Sequence, residues 1–174
     1  IAGGFFMWKV GGARAAKGGS LDDVIASAQN VVNRTKSICV GLEPCVIPAL
    51  GHSNFKIEDG TMEFGVGHHG EAGTKVEKLK SASEMAQEMA ETILNDFDFE
   101  EGKEVAVMLS GLGATPVMEL YVLYDEVEKV LAKAGHKVWK TYIGNYVTSL
   151  DMNGASLTIV DLDDEIKELL SEPA

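Results

Sequence analysis

The stretch from Glu104 to Ile143 most restricts what this chain can fold into. Glu104 to Ser110 is an apolar run of strand length, the kind found in buried strands. It passes through Gly111-Leu112-Gly113-Ala114 into a helical stretch. Thr115 is the expected N-cap there, Pro116 the first helical residue and Gly135 the stop. A second strand run, Val138 to Ile143, follows at once. A strand, a punctuated helix and a strand in succession point to the α/β class. Apolar residues make up 45% of 174 positions, enough for the core of one or two small domains without disulfides or a structural metal.

Other elements follow from local signals. Ile1, Phe5, Trp8 and Gly12 recur as on one helix face, and Gly18-Gly19 ends that helix. Gly11, Gly12 and nearby alanines leave room for a close neighbour. Ser20 with Asp23 predicts a capping box for a second helix, whose stripe of Leu21, Val24, Ile25, Ala28, Val31 and Val32 is expected in a core. Ile38, Val40 and Leu42 alternate as a strand ending near Pro44. Phe55 and Ile57, then Met62, Phe64 and Val66, alternate on either side of Asp59-Gly60, which predicts a hairpin. Ser81 with Glu84 caps a helix carrying Met85, Met89 and Ile93. Leu157 to Val160 is the last strand, with Asn153-Gly154 as the turn before it and Asp163 capping a short final helix. Six strands among several helices give a six-stranded mixed sheet flanked by helices.

Charge narrows the partners. Asp plus Glu number 27 against 15 Lys plus Arg, a net charge of −12, so neither nucleic acid nor an anionic membrane surface would attract the chain. The longest apolar stretch, Ile1 to Trp8, is too short to span a bilayer and has no basic segment before it. The opening on Ile1 rather than methionine is what a processed chain or a fragment shows. Cys39 and Cys45 do not form a C-x-x-C pair, and free or buried thiols in a reducing cytoplasm are expected.

The 19 glycines exceed the usual share of about 7%. Four of them lie in Gly65-Val66-Gly67-His68-His69-Gly70-Glu71-Ala72-Gly73, on either side of two imidazoles just past a strand end. Loops at strand ends are where α/β proteins place ligands. A neutral imidazole can add to a carbonyl carbon when its other nitrogen is held as N–H, and nearby backbone N–H groups can stabilise the oxygen. Solvated turn histidines are the plain alternative. A zinc site through His68, His69 and Glu71 is a third; His69-Gly70-Glu71 has the H-x-E spacing, but the P-C-x-x-C partner is missing and adjacent histidines tend to point apart. Gly111 to Pro116 has N–H groups able to receive an anion, yet it matches neither the P-loop nor the dinucleotide fingerprint, and a tight turn is the simpler expectation. His52 and His136 are expected in solvent, and Asp125, Glu126 and Glu128 on a solvated helix face.

Three blocks together resemble the dihydroxyacetone-binding subunit of dihydroxyacetone kinases, the DhaK family. The first is Met62-Glu63-Phe64-Gly65-Val66-Gly67 with His69-Gly70-Glu71, and the second is Gly113-Ala114-Thr115-Pro116 with Glu119-Leu120-Tyr121. The third is Thr148-Ser149-Leu150-Asp151-Met152 with Gly154. They occur in family order, and the likeness runs over essentially all 174 residues. Departures are His68 where the family has an apolar residue, Ala72 where it has proline, and Glu43-Pro44 before Cys45.

The resemblance implies the second domain of the DhaK fold. Residues 1–36 would be two helices belonging with an upstream domain, and residues 37–174 the ketose-binding domain. It also implies a kinase subunit for dihydroxyacetone or a similar small ketose, of the phosphotransferase-system-dependent type. His69 would be the histidine that adds to the ketone as a hemiaminal, with Gly67 and Gly70 as further substrate contacts. The adduct would hold the triose for phosphorylation to dihydroxyacetone phosphate and reject glycerol, which has no carbonyl. No cofactor or metal is implied for the chain itself. The phosphoryl donor would sit on a separate nucleotide-carrying subunit, and a cytoplasmic homodimer is expected. Residues 1–174 alone would then transfer no phosphate. A ketose-sensing paralogue, a transcriptional coactivator on the same fold, is the alternative reading.

Overall fold

Eleven elements, in a computed structural model that describes residues 2–53, 55–69, 71–99 and 102–173, are arranged around one mixed sheet. Helices α1 (Gly4–Ala16) and α2 (Leu21–Asn33) lead into β1 (Thr35–Glu43), β2 (Thr61–Phe64) and β3 (Lys75–Lys78). Then come α3 (Ala82–Asn95), β4 (Glu104–Gly111), α4 (Val117–Lys133), β5 (Lys137–Gly144), β6 (Asn153–Asp161) and α5 (Asp164–Ser171). The strand order is β3-β2-β1-β6-β4-β5. Among the described strands β4 and β5 are the one neighbouring pair that is parallel, joined over the sheet by α4, as a parallel pair requires a crossover.

The two faces bury different helices. On one, Met85, Met89 and Ile93 of α3 and Leu120, Val127 and Leu131 of α4 cover Val40, Val107, Leu109, Leu157 and Ile159. On the other, Phe6 and Val10 of α1 and Ile166, Leu169 and Leu170 of α5 cover Ala106, Met108, Tyr142 and Val160. Both predicted capping boxes form: Ser20 with Asp23, and Ser81 with Glu84. The Asp163 side chain accepts the Ile166 N–H at 2.8 Å and starts α5.

Several expectations are corrected. The buried face of α1 is Phe6, Val10 and Ala13, whereas Trp8 is 70% exposed. Ile1 lies outside the described residues. Half of the α2 stripe also faces out: Val31 is buried, but Leu21, Ile25 and Val32 are exposed. Helix α1 shares a core with the sheet, and Lys36 lies within β1. Phe55 and Ile57 form no strand; the sixth strand is β3, which pairs with β2 across the 65–74 loop. Asp59-Gly60 turns the chain into β2 instead of joining two strands.

Asn153-Gly154 opens β6, where Gly154 has φ +150° and no room for a Cβ against the Val40 carbonyl oxygen. Thr115 does not cap α4. Its hydroxyl accepts the Gly154 N–H at 2.8 Å and lies 2.7 Å from the Gly154 carbonyl, tying the α4 entrance to β6. Pro116 holds the N-cap position. His136 is buried, 9% exposed, with its ring 5.7 Å from that of Phe99, and is not solvated as expected.

Glu104 is among the carboxylates that the acidic surface anchors with lysines. Glu104 at the start of β4 receives Lys137 Nζ at 2.8 Å and Lys167 Nζ at 2.7 Å. Those bonds, Lys137's first, lower its pKa from 4.5 to about 2. The folded value lies below the unfolded one, so its contribution to stability is complete above about pH 4.5 and is lost as pH falls toward 2. Glu104→Gln is therefore expected to flatten the acid limb of the stability curve in that window, read from urea midpoints between about pH 5 and pH 2.

Candidate functional site

The loop between β2 and β3 carries both histidines, and its conformation is fixed by short-range bonds. Gly65, at φ +80°, donates its N–H to the Cys39 carbonyl at 2.7 Å, and the Thr74 N–H closes the loop base on the Phe64 carbonyl at 2.8 Å. Val66 anchors the loop in a small apolar cluster with Cys39, Cys45, Leu112 and Met152. Within the loop, the Gly67 N–H donates to the Glu71 carbonyl at 2.9 Å, and the His69 N–H donates to Glu71 Oε2 at 2.9 Å. Gly67 is buried, and a methyl group there would overlap the Glu71 carboxylate. These N–H groups are thus committed to Glu71 and are not free for a developing oxyanion. Gly70 lies outside the described residues.

Contrary to expectation, the two histidines do not point apart. Their ring centroids are 3.9 Å apart at an interplanar angle of 44°. His69 is the outer one, its side chain 74% exposed and its Nδ1 3.5 Å from Glu71 Oε1. Burial, and then the neighbouring His69, hold His68 below the ordinary imidazole value, so its ring is neutral at pH 7. Backbone N–H groups of Glu71 itself and of His69 keep the Glu71 carboxyl ionised to lower pH than usual. No group of three or more His, Cys, Asp or Glu among the described residues is placed to hold a metal ion.

A groove of about 510 Å³ opens beside the rings, walled by Cys45 and Ile47, by His68 and His69, and by residues 147–150. Its third wall overlaps the third sequence block, Thr148-Ser149-Leu150. Asp151 Oδ1 accepts the Val46 N–H at 2.7 Å, joining two of the walls. The Ser149 N–H reaches the Leu112 carbonyl at 2.7 Å, and the Ala114 N–H reaches the Met152 carbonyl at 3.0 Å. The Leu112 N–H is likewise spent on Gly154, at 3.1 Å. The Leu112 and Ala114 N–H groups therefore brace the groove wall and are not free to receive an anion.

Leu150, at φ 53°, is the one non-glycine residue with positive φ among those described, a conformation that costs about 1–2 kcal/mol. Ser110 was missed as a supporting residue. Its buried hydroxyl accepts the N–H groups of Tyr146 and Val147, each at 3.0 Å, and sets the exit of β5 into this wall. The available signal was a lone hydroxyl closing an otherwise apolar strand. Cys39 is fully buried, and burial pushes its thiol up to about 12, so it is no nucleophile. A separate cavity of about 250 Å³ between α3 and α4 has no histidine or cysteine among its described lining.

The loops of this mixed α/β sheet thus gather paired imidazoles beside a groove, at strand-end loops, where α/β folds place ligands. The Dak1 domain matches residues 1–174, and the chain belongs to the Dak1 family. It is 40% identical over 165 residues to the PTS-dependent dihydroxyacetone kinase 1, dihydroxyacetone-binding subunit DhaK, of Listeria innocua, covering 95% of this chain and 50% of that one. It is 36% identical over 174 residues to the D-erythrulose kinase of Mycolicibacterium smegmatis, covering 100% of this chain and 30% of that one. The solved structure of the dihydroxyacetone kinase operon co-activator Dha-DhaQ superposes with a TM-score of 0.93 at 30% identity, over 99% of this chain and 54% of its own. The chain spans about half the length of the DhaK relatives it matches. Among the described residues no helix is long and apolar enough to cross a membrane.

Proposed function

We propose that this chain is the ketose-binding part of a dihydroxyacetone kinase subunit, and that His69 holds the ketose covalently. The observation that carries the reading is the placement of His69, an accessible imidazole on a braced loop at the mouth of a groove sized for a small ligand. A lone pair on one ring nitrogen attacks the carbonyl carbon. The new C–N bond forms as the carbonyl π pair moves to oxygen. The oxygen takes a proton from solvent, and the other ring nitrogen releases one, leaving a neutral hemiaminal. The triose is then tethered in one orientation, with a hydroxyl presented for phosphorylation. In this reading the chain binds no nucleotide; the phosphoryl group arrives on a separate donor subunit, and the protein works as a homodimer.

Similarity to a DhaK subunit and to an erythrulose kinase supports a small ketose as ligand, of three or four carbons. The likeness to an operon co-activator favours a second reading, a ketose sensor that keeps the adduct and transfers no phosphate. Carbon-13 dihydroxyacetone labelled at the carbonyl tests the binding step. The expected result is conversion of the bound carbonyl resonance to that of a tetrahedral carbon. A ketose that stays a carbonyl, or is not bound, overturns the covalent reading. Because residues 1–174 alone are expected to transfer no phosphate, phosphotransfer with a donor subunit is measured on the complete subunit, where it separates the kinase from the sensor.

A further inference from the structure

The histidine loop spends much of its geometry on one carboxylate. Glu71 takes the His69 N–H at Oε2 and brings Oε1 to 3.5 Å from His69 Nδ1. Its own carbonyl takes the Gly67 N–H at 2.9 Å, and only a residue without a Cβ at position 67 leaves room for the carboxylate. The His68 ring packs on the His69 ring at 3.9 Å and limits how far it can swing. An exposed histidine in a merely solvated turn needs none of these arrangements.

We propose that Glu71 is the positioning residue for His69: its carboxylate holds the imidazole as the Nδ1–H tautomer and leaves the lone pair on Nε2, the nitrogen that adds to the ketone. This rests on the covalent reading of the site. Which ring nitrogen keeps the proton is set by the partner of the other, and a carboxylate two residues away is such a partner. The 3.5 Å separation is long for a hydrogen bond, as is common before a ligand tightens the site. During addition the ring gains positive charge as the C–Nε2 bond forms. The adjacent carboxylate offsets that charge and relays the Nδ1 proton to the hydroxide left when water protonates the alkoxide, so Glu71 ends ionised and protons balance.

The experiment is nitrogen-15 NMR of His69 at about pH 8, where an ordinary imidazole is neutral. It is run on the protein, on Glu71→Ala and on Glu71→Gln, with adduct formation from labelled dihydroxyacetone measured in parallel. The amide of Glu71→Gln can still accept the His69 N–H, so that variant keeps the loop shape. The expected result is an Nδ1–H tautomer in the parent and its loss in Glu71→Ala, with Glu71→Gln between them. Adduct affinity should fall by about 10- to 100-fold in Glu71→Ala, the usual range for a group that orients a histidine ligand. An unchanged tautomer overturns the proposal, and so does weakened adduct formation with no tautomer change, which marks a purely structural role. A tautomer that follows Glu71 without any adduct in the parent supports the positioning role and removes the covalent reading instead.

Discussion

Gly113→Ala is expected to destabilise the protein by about 3 kcal/mol or more, through backbone strain and a steric clash acting together. Gly113 sits at φ +134°, which L-residues rarely adopt, and an added methyl would overlap the Leu150 carbonyl oxygen. That oxygen is backbone, so no side-chain rotation relieves the overlap. The neighbouring bonds, Ala114 N–H to Met152 and Ser149 N–H to Leu112, hold both segments in place. Relief would have to come from moving the chain around Leu150, and residues 147–150 form one wall of the groove beside His69. Urea unfolding measures the stability loss, and ketose titration of the remaining folded protein should show weakened binding as well. A loss below about 1 kcal/mol would mean that the two loops separate without cost.

His69→Gln is expected to have the largest effect on ligand binding and almost none on folding. Glutamine has no nitrogen lone pair able to add to a ketone, so the tetrahedral-carbon signal should vanish. The His69 side chain is 74% exposed, and removing it should shift stability by no more than about 0.5 kcal/mol. Unchanged adduct formation in His69→Gln, or its transfer to His68, would assign the nucleophile to the other ring. Thermal unfolding run beside the labelled-ketose experiment separates loss of the nucleophile from loss of the fold.

Elements governed by contacts within a few residues were legible in the sequence. Ser20 with Asp23 and Ser81 with Glu84 close bonds three residues apart, and both appear as read. The β4–α4–β5 unit follows from one apolar strand run, a proline near the helix start and Gly135, which lies past the helix at φ +85°. Strand β3 was not legible. Lys75-Val76-Glu77-Lys78 lies at the sheet edge, where neither face is covered and alternation carries no signal. Phe55 and Ile57 imitated a strand because they are apolar for another reason. Phe55 packs against the cluster under the histidine loop, and Ile57 lies close to Gly41. The α1 face was misread because Phe5 and Trp8 compete with Phe6 and Val10, and periodicity cannot rank two apolar stripes.

The candidate site divides the same way. The segment around His68 and His69 stood out for the glycines on either side of it, and the bonds that shape it, Gly67 and His69 N–H to Glu71, are local. The groove did not, since its walls come from residues 45–47, 68–69 and 147–150.

The amino-acid order by itself determined the α/β class, most helix ends and the histidine segment, because short-range bonding and apolar period are properties of neighbouring residues. Only the tertiary structure decided that Ser110, Gly113 and Asp151 support the site, that Thr115 bonds to β6 instead of capping α4, and that the two opening helices share this sheet's core. Each of those roles depends on a partner 30 or more residues away, and only chain packing sets which distant group arrives.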